Sequence, residues 1–282
     1  MSATSGVTQT HKFLVSCCNR DKNFLTKALS DSRCAAIPIP DCDPVYSAEG
    51  TICLQAERTL TTKDKNCQPA DCPVAPISDV TPWLDLSLIY GSTLEVSNSL
   101  REQEGGRLKA ECRDGQSWPP QDPQRPCLGQ SKDQPCYLAG DFRVNQNPHL
   151  TVLQVIFFRE HNRLCKELSQ LNPHWGDERL FQEARRILIA AYQHIVYYTY
   201  VPIIIGYNKA VSDDLIYPDK FGYVSTYDCD VEPSIFVEFA TAAFRYFHSN
   251  IYGKLQYYKE NRISCGQIYL RDYYNTPAFL EQ

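Results

Sequence analysis

The segment at 238–249, which reads EFATAAFRYFHS, places a single histidine, His248, at the C-terminal end of an apolar stripe with helical spacing. An imidazole held by a packed helix is suited to axial coordination of haem iron. A lone histidine on an apolar face is more often a core residue, so this pattern alone does not establish ligation. A second motif is needed to choose between the two interpretations.

Two further motifs lie upstream. Residues 136–148 read CYLAGDFRVNQNP, and residues 158–164, inside a long helical pattern, read FREHNRL. With FRYFH at 244–248, they resemble in order and spacing the signature of the animal haem peroxidases, the group that contains myeloperoxidase, peroxidasin and insect chorion peroxidase. The resemblance covers nearly the whole chain. It implies a mainly α fold, an animal haem peroxidase-like helical domain with long disulfide-stapled loops.

The resemblance implies a haem-dependent peroxidase that reduces hydrogen peroxide and oxidises a small reducing substrate, either an aromatic or a halide donor. His248 matches the proximal ligand of the iron in a b-type haem, and Arg245 matches a residue near the haem or its propionates. Arg143 matches the distal catalytic arginine. A guanidinium is always charged and presents a fixed fork, which suits it to stabilising a departing oxygen. Phe247 departs from the family, which usually has glycine before the proximal histidine.

Gln146 matches the position where many members have a glutamate that forms an ester with a haem methyl group. An amide cannot readily form that ester. Asn147 matches the position where myeloperoxidase has a methionine linked to a vinyl group. We therefore expect no covalent haem bond at either position. Arg159 and Glu160 are expected to belong to a structural polar network.

The resemblance also implies a calcium loop in TPWLDLS, residues 81–87. Oxygen ligands at every second residue suit a hard cation such as Ca²⁺. The expected ligands are the side chains of Thr81, Asp85 and Ser87 and the backbone carbonyl of Trp83. The fifth protein ligand in the family is an aspartate beside the distal histidine, and it has no counterpart in this sequence. We therefore expect weak calcium binding.

Comparison with the family pattern predicts a partial domain, truncated at both ends. The first residues resemble the stretch that follows the distal His-Asp pair, and the last residues resemble a mid-domain segment. The distal base is therefore expected to lie outside the chain. His11, in the polar stretch QTHK, is interpreted as an exposed loop residue and not as that base.

Composition limits the other classes of function. The net charge is −5 with no basic block, which predicts no nucleic-acid partner. The apolar runs of the sequence are shorter than a bilayer span requires, so we predict no membrane span. The sequence shows no signal peptide, although the cysteines favour a secreted protein.

The chain has 13 cysteines, and seven of them crowd its first quarter among Pro, Asp and Thr. This pattern predicts a disulfide-stapled region in an oxidising compartment. No C-x-x-C occurs, which disfavours a zinc site. Cys127 and Cys136 bracket a short loop, and the resemblance implies a disulfide there. The odd count leaves at least one free thiol. The crowded cysteines are Cys17, Cys18, Cys34, Cys42, Cys53, Cys67 and Cys72.

We divide the chain into a Cys-rich loop region, 1–76, and a helical core portion, 77–282. Helical spacing predicts long helices over Leu150–Leu168, over Asp177–Tyr198 with Pro202 ending it, and over Phe236–Tyr246 with His248 at its end. A shorter helix is expected at 94–104 and an exposed polar loop at 105–135. We expect these elements to bring Arg143 and His248 to a common cavity.

An alternative function is a non-catalytic secreted protein, either an adhesion module of the peroxinectin type or a degenerate peroxidase. Gln146 and Phe247 favour it. A hydrolase or thiol redox enzyme has little support, because neither G-x-S-x-G nor C-x-x-C occurs.

Overall fold

The computed structural model describes residues 16–19, 31, 33–56, 58, 61–62, 75–122, 136–218 and 224–281. These residues form a mainly helical protein with short two-stranded antiparallel sheets. The helices are α1 Ser87–Tyr90, α2 Leu94–Leu100, α3 Pro148–Leu171, α4 Asp177–Ile195, α5 Val201–Ile205, α6 Tyr207–Ser212 and α7 Val237–Thr241. The strands are β1 Ile37–Pro38, β2 Cys53–Leu54, β3 Glu111–Arg113, β4 Gln116–Trp118, β5 Lys254–Tyr258 and β6 Ser264–Tyr269.

The described residues fall into two compact units. One unit consists of residues 81–233 and 247–282, and the other of residues 2–80 and 234–246. In the second unit, the disulfides Cys17–Cys34 and Cys18–Cys53 tie short loops together, as the cysteine pattern predicts. Cys67 and Cys72 lie outside the described residues, as does His11.

Helix α3 is longer than the predicted span because Asn147 and Pro148 start it earlier. The Asn147 side chain accepts a hydrogen bond from the Leu150 amide at 3.2 Å, and Pro148 occupies the first turn. The helical spacing of Val152, Val155, Ile156 and Leu164 predicts one buried apolar face, but Val152 and Ile156 are exposed. Polar side chains occupy part of the buried face instead. Thr151 and His161 form hydrogen bonds there, whereas Gln154 Oε1 is buried without a hydrogen-bond partner among the described residues. The buried residues of α3 are Pro148, Thr151, Gln154, Val155, Phe158, His161 and Cys165.

The predicted end of the second long helix at Pro202 is wrong. After α4, a π-helical turn at Val196–Tyr200 continues directly into α5. The Val201 amide reaches back to the Val196 carbonyl, and Pro202 falls in the first turn of α5. The wider turn therefore accommodates a residue that has no N–H to donate.

The continuous helix Asp177–Ile205 is long and apolar enough to cross a membrane by length and composition alone. Core helices of soluble proteins meet the same criterion, so the lack of a membrane span stays a prediction.

The third predicted helix, Phe236–Tyr246, is not a single α-helix. Helix α7 ends at Thr241, and a 3₁₀ helix follows at Ala243–Asn250. Thr, Phe and Tyr have modest helix propensity, and little burial compensates, because within this segment Ala240 is the buried residue. His248 lies inside the 3₁₀ helix.

The segment 105–135 is not wholly an exposed loop. It contains the β3–β4 hairpin, whose Trp118 is 7% exposed, and it contains the buried residue Leu108. Helix α2 ends at Leu100, earlier than predicted, and Thr93 caps its start by accepting a hydrogen bond from the Val96 amide. The β5–β6 hairpin was missed because its side chains are largely exposed and give a weak alternation.

Candidate active site

The loop at 81–87 brings together two of the oxygen atoms expected to bind calcium, those of the Thr81 and Asp85 side chains. The Asp85 carboxylate oxygen Oδ1 accepts hydrogen bonds from the Thr81 hydroxyl at 2.9 Å and from the Ser87 amide at 3.0 Å. Ser87 is buried, whereas the Trp83 side chain is 56% exposed. Leu86 has a φ of 55°, which turns the chain sharply into α1. The two side-chain oxygens of Thr81 and Asp85 are therefore brought to one locus.

Gly140 packs directly against the end of α1. A Cβ atom at this position would lie 2.3 Å from the Gly91 nitrogen and 2.4 Å from the Ser87 carbonyl oxygen. Only a glycine fits so close to another backbone segment. This contact fixes the start of the AGDFR motif against the loop that holds Asp85.

Asp141 and Arg143 form a bidentate ion pair. Asp141 caps the 3₁₀ helix Phe142–Asn145 by accepting from the Arg143 amide at 2.9 Å. The same carboxylate accepts from Arg143 Nε at 2.8 Å and from Nη2 at 2.5 Å. The Arg143 side chain is 20% exposed and that of Asp141 is 9% exposed. The fork is therefore held in one orientation, which leaves Nη1 of Arg143 for another acceptor.

The 3₁₀ helix is anchored at both ends. Asn145 clasps the backbone of Tyr137, accepting from its amide at 2.7 Å and donating to its carbonyl at 2.9 Å. The Thr151 hydroxyl donates to the Val144 carbonyl at 2.5 Å, which joins the helix to α3. Gln146 is exposed, and its backbone carbonyl accepts from the Asn275 amide.

His161, the histidine of FREHNRL, is the centre of a buried cluster that the sequence did not single out. Its Nε2 lies 3.0 Å from the Gly106 carbonyl and its Nδ1 lies 2.8 Å from the Tyr90 hydroxyl. A carbonyl can only accept, so Nε2 carries the proton and Nδ1 accepts from Tyr90. Cys165 also donates to the Gly106 carbonyl. The imidazole ring packs edge-on against Tyr90 and Phe181.

Burial governs the titration of this cluster. It lowers the pKa of His161 to about 4, and the nearby cations Arg101 and Arg185 act in the same direction. Burial also raises the pKa of the Cys165 thiol to about 12 and raises the pKa of Tyr90. The three groups are therefore neutral at physiological pH, which fits a structural role.

A glycine turn joins this cluster to α4. Gly106 has a φ of 73°, and its amide donates to the Asp177 carboxylate at 2.7 Å. Arg101, 5% exposed, pairs with Asp177 at 2.6 Å and with Glu178 at 2.5 Å. Its guanidinium also lies 4.1 Å from the centre of the Phe181 ring. The first turn of α4 is thereby tied to the segment that contacts His161.

The expected polar network of the FREHNRL motif is present. Arg159 donates from Nε to the Ser117 carbonyl at 2.7 Å, and Glu160 pairs with Arg163. Asn162 binds the Leu108 amide and carbonyl at 2.8 and 3.1 Å. These contacts hold α3 against the segment 106–118.

His248 sits in a different environment. It is exposed within the 3₁₀ helix Ala243–Asn250, and its ring makes no hydrogen bond to the residues that the structure describes. Phe247 and Arg245 are half-buried, and each has a contact of its own. The imidazole nitrogens of His248 are therefore available to a ligand. That Arg143 and His248 line one cavity stays a prediction.

Five cysteines in the described residues are free, which agrees with the odd count. They are Cys42, Cys112, Cys165, Cys229 and Cys265. Cys136 is disulfide-bonded, but Cys127 lies outside the described residues, so the pairing of these two stays a prediction.

The helical fold and the close packing of the AGDFR motif agree with the family resemblance that the sequence motifs indicate. The chain belongs to the animal haem peroxidase family, whose model matches residues 1–282. It is 43% identical over 284 residues to a "Peroxidase" of Drosophila melanogaster, with 100% of this chain covered, and 36% identical to a "Chorion peroxidase" of Aedes aegypti, with 97% covered.

Among solved structures, Peroxidase A from Dictyostelium discoideum matches 89% of this chain with a TM-score of 0.73 and 27% identity. The chain spans 49% of that protein, 41% of the Drosophila protein and 34% of the Aedes protein. It thus corresponds to less than half of each of these relatives.

Proposed function

We propose that the chain supplies the proximal ligand and the distal cation of a haem-dependent peroxidase, which reduces hydrogen peroxide and oxidises an aromatic or halide donor. The observation that carries the proposal is the fixed fork of Arg143. Its guanidinium is bound on one edge by Asp141 and is mostly shielded from solvent. A preorganised cation of this kind stabilises charge on an oxygen that departs from peroxide.

The residues present fit a b-type haem. The exposed imidazole of His248, free of hydrogen bonds among the described residues, would hold the iron, and Arg245 would lie near the haem edge. Haem supplies the electron-transfer chemistry when it is bound. Gln146 has a side-chain amide in place of the ester-forming carboxylate, so the haem is held without an ester at this position. Acid–organic extraction is expected to release it from the polypeptide.

Reconstitution of the 282-residue chain with haem tests the ligand. We expect a histidine-ligated absorption band that His248→Ala abolishes and that added imidazole restores. His174→Ala, at another exposed histidine, is the matched control and should leave the band intact. A band that survives His248→Ala would refute the assignment of His248.

Peroxide reduction tests the cation. None of the chain's six histidines is assigned as the distal base, and loss of a positioned proton carrier typically costs about 10²–10⁴ in rate. We therefore expect stopped-flow turnover of this chain near that of free haem, with Arg143→Lys lowering the remainder. Rapid turnover would mean that a base within the chain has been overlooked.

We also propose a calcium site at the 81–87 loop. Two oxygens 2.9 Å apart, as in Thr81 and Asp85, subtend about 75° at a Ca²⁺ placed about 2.4 Å from each, which suits pentagonal-bipyramidal coordination. Ser87 and the Trp83 carbonyl would complete four protein ligands, fewer than the six to eight that Ca²⁺ takes. Calorimetry should therefore show weak binding that Asp85→Asn removes, and tight binding would contradict a four-ligand site.

The disulfides Cys17–Cys34 and Cys18–Cys53 support secretion, since such bonds persist in oxidising compartments. Hydrogen peroxide and a small reducing substrate would be the partners, with neither nucleic acid nor a membrane span. A second candidate is a non-catalytic secreted adhesion or degenerate peroxidase-like protein. The exposure of His248 beside Phe247 favours it, and failure to bind haem would support it.

A further inference from the structure

Two aromatic rings stack beside the candidate distal helix. The rings of Trp118 and Tyr137 lie 6.0 Å apart, centre to centre, with an angle of 9° between their planes. Trp118 is 7% exposed and Tyr137 is 1% exposed. Trp118 ends the surface hairpin β3–β4, whereas Tyr137 is clasped by Asn145, two residues after Arg143. The stacked rings therefore connect the surface hairpin β3–β4 with the 3₁₀ helix that carries Arg143.

Charged groups cover both ends of the stack. The Arg159 guanidinium lies 4.6 Å from the centre of the Trp118 ring, and that of Arg113 lies 5.7 Å from the centre of the Tyr137 ring. The Tyr137 hydroxyl donates a hydrogen bond to the Glu281 carboxylate. Arg113 donates to the same carboxylate from Nε at 2.7 Å and from Nη2 at 2.9 Å, which holds the carboxylate beside the Tyr137 hydroxyl.

This arrangement has the parts that reversible tyrosine oxidation requires. Indole and phenol rings are among the side chains most easily oxidised by one electron. A phenol that loses an electron becomes a strong acid, so its proton needs an acceptor within hydrogen-bond reach. Glu281 is that acceptor, and its side chain is only 12% exposed. A purely structural tyrosine could donate equally well to a backbone carbonyl, which cannot take up the proton.

We propose that Trp118 and Tyr137 form a one-electron relay that carries electrons from a phenolic donor at the protein surface to the candidate haem site. The proposal rests on the proposed peroxidase function for its physiological oxidant, hydrogen peroxide. Trp118 belongs to a surface hairpin. A phenolic donor that is too large to enter a buried site could therefore still transfer an electron to it.

The electrons and protons balance as follows. Reduction of one hydrogen peroxide molecule to two water molecules takes two electrons and two protons, and each electron passes singly. Tyr137 gives up an electron toward the site, and its hydroxyl proton moves to Glu281. Trp118 then returns an electron to Tyr137, which takes the proton back from Glu281. A phenol then gives one electron to oxidised Trp118 and one proton to solvent and leaves as a phenoxyl radical. Two such turns, with two phenols, supply the two electrons and release the two protons that one peroxide molecule takes up.

The relay can be tested without haem or peroxide, so its failure is distinguishable from failure of the proposed function. Cys112 is exposed and free, and in β3 it lies opposite Ser117, the neighbour of Trp118. A ruthenium(II) polypyridyl photosensitiser is attached to Cys112 in the full chain, after the other exposed free cysteines of the described residues are changed to serine. They are Cys42, Cys229 and Cys265. Peptide mapping confirms the labelled position.

Flash oxidation with a cobalt(III) ammine quencher removes the electron from Trp118 first, so the step between Tyr137 and Trp118 is followed in its reverse direction. The tryptophan radical should convert to a tyrosyl radical, seen by transient absorption and electron paramagnetic resonance. Tyr137→Phe should leave the tryptophan radical unconverted. Glu281→Gln keeps the ring pair but removes the proton acceptor, so it should abolish or strongly slow the conversion. The conversion in the unmodified pair should also slow in D₂O, because a proton moves with the electron.

The matched control is Trp175→Phe. Trp175 also stacks with an arginine, Arg179 at 4.4 Å, but among the described residues no tyrosine ring packs against it. This variant should leave the tyrosyl signal unchanged, whereas Trp118→Phe should remove it. A persistent tryptophan radical in the parent protein would overturn the relay. So would an equal tyrosyl yield in Tyr137→Phe or Glu281→Gln, with circular dichroism confirming that each variant is folded.

Discussion

The surroundings of Arg143 and of His248 differ sharply, although both residues come from equally clear sequence motifs. Arg143 is fixed by Asp141, and its short helix is anchored by Asn145 and Thr151. His248 lies in an exposed 3₁₀ helix with a ring that bonds to none of the described residues. Local packing thus fixes the orientation of the Arg143 guanidinium. The imidazole of His248, the candidate metal ligand, is not fixed by such packing. Substitutions near Arg143 should cost stability, and substitutions near His248 should change ligand binding alone.

Gly140→Ala should have the largest effect. A methyl group 2.3 Å from the Gly91 nitrogen and 2.4 Å from the Ser87 oxygen meets backbone, which cannot move aside as a flexible side chain can. We expect the free energy of unfolding to fall by about 3 kcal/mol or more, measured by urea denaturation. Gly253→Ala, where a Cβ atom meets nothing within 4 Å, is the control. Equal stability of both variants would show that the Gly140 contact is not tight.

Acid should lower the free energy of unfolding of the unit that contains Arg143, because protonation of the buried His161 imidazole is unfavourable in the folded state. The pKa of about 4 in the folded protein lies below the ordinary histidine value of 6.5, so the stabilisation is complete above pH 6.5 and is lost as the pH falls toward 4. The full shift corresponds to about 3 kcal/mol. Histidine NMR should show one imidazole that stays neutral to near pH 4. If no imidazole stays neutral to near pH 4, the buried neutral tautomer of His161 is wrong.

The contacts at Thr81, Asp85 and Arg143 join residues two to four positions apart, so a short motif already contains both partners of each contact. The roles of these residues in binding calcium and haem stay predictions. His161 was not predicted to form a buried cluster, because its partner, the Gly106 carbonyl, is 55 residues away in a segment that was predicted to be an exposed loop. A signal existed, since His161 lies on the face of α3 that faces the core. The β3–β4 hairpin and the continuation of the helix through Pro202 likewise depend on tertiary contacts.

Asp141→Asn should lower the free energy of unfolding by less than the two preceding changes, and it tests how strongly the ion pair fixes Arg143. Asparagine still caps the 3₁₀ helix, but the ion pair with Arg143 is lost in a site where the carboxylate is 9% exposed. We expect a loss of about 2 kcal/mol in the free energy of unfolding. Glu160→Gln breaks another bidentate pair, with Arg163, in an exposed setting and should cost less than about 1 kcal/mol. Similar losses in the two variants would argue that burial does not strengthen the Asp141–Arg143 pair.

His248→Ala should have the smallest effect on stability and therefore tests the other half of the comparison. The side chain is exposed and its ring forms no hydrogen bond within the described residues, so its removal takes away neither buried area nor a partner. We expect a change within about 0.5 kcal/mol in the free energy of unfolding of the haem-free chain. The same variant should gain no stability from added haem, whereas the parent chain should, because a ligand that binds only the folded state stabilises it. A large loss without haem would instead place the His248 imidazole in a packed environment, and its role as an available metal ligand would have to be abandoned.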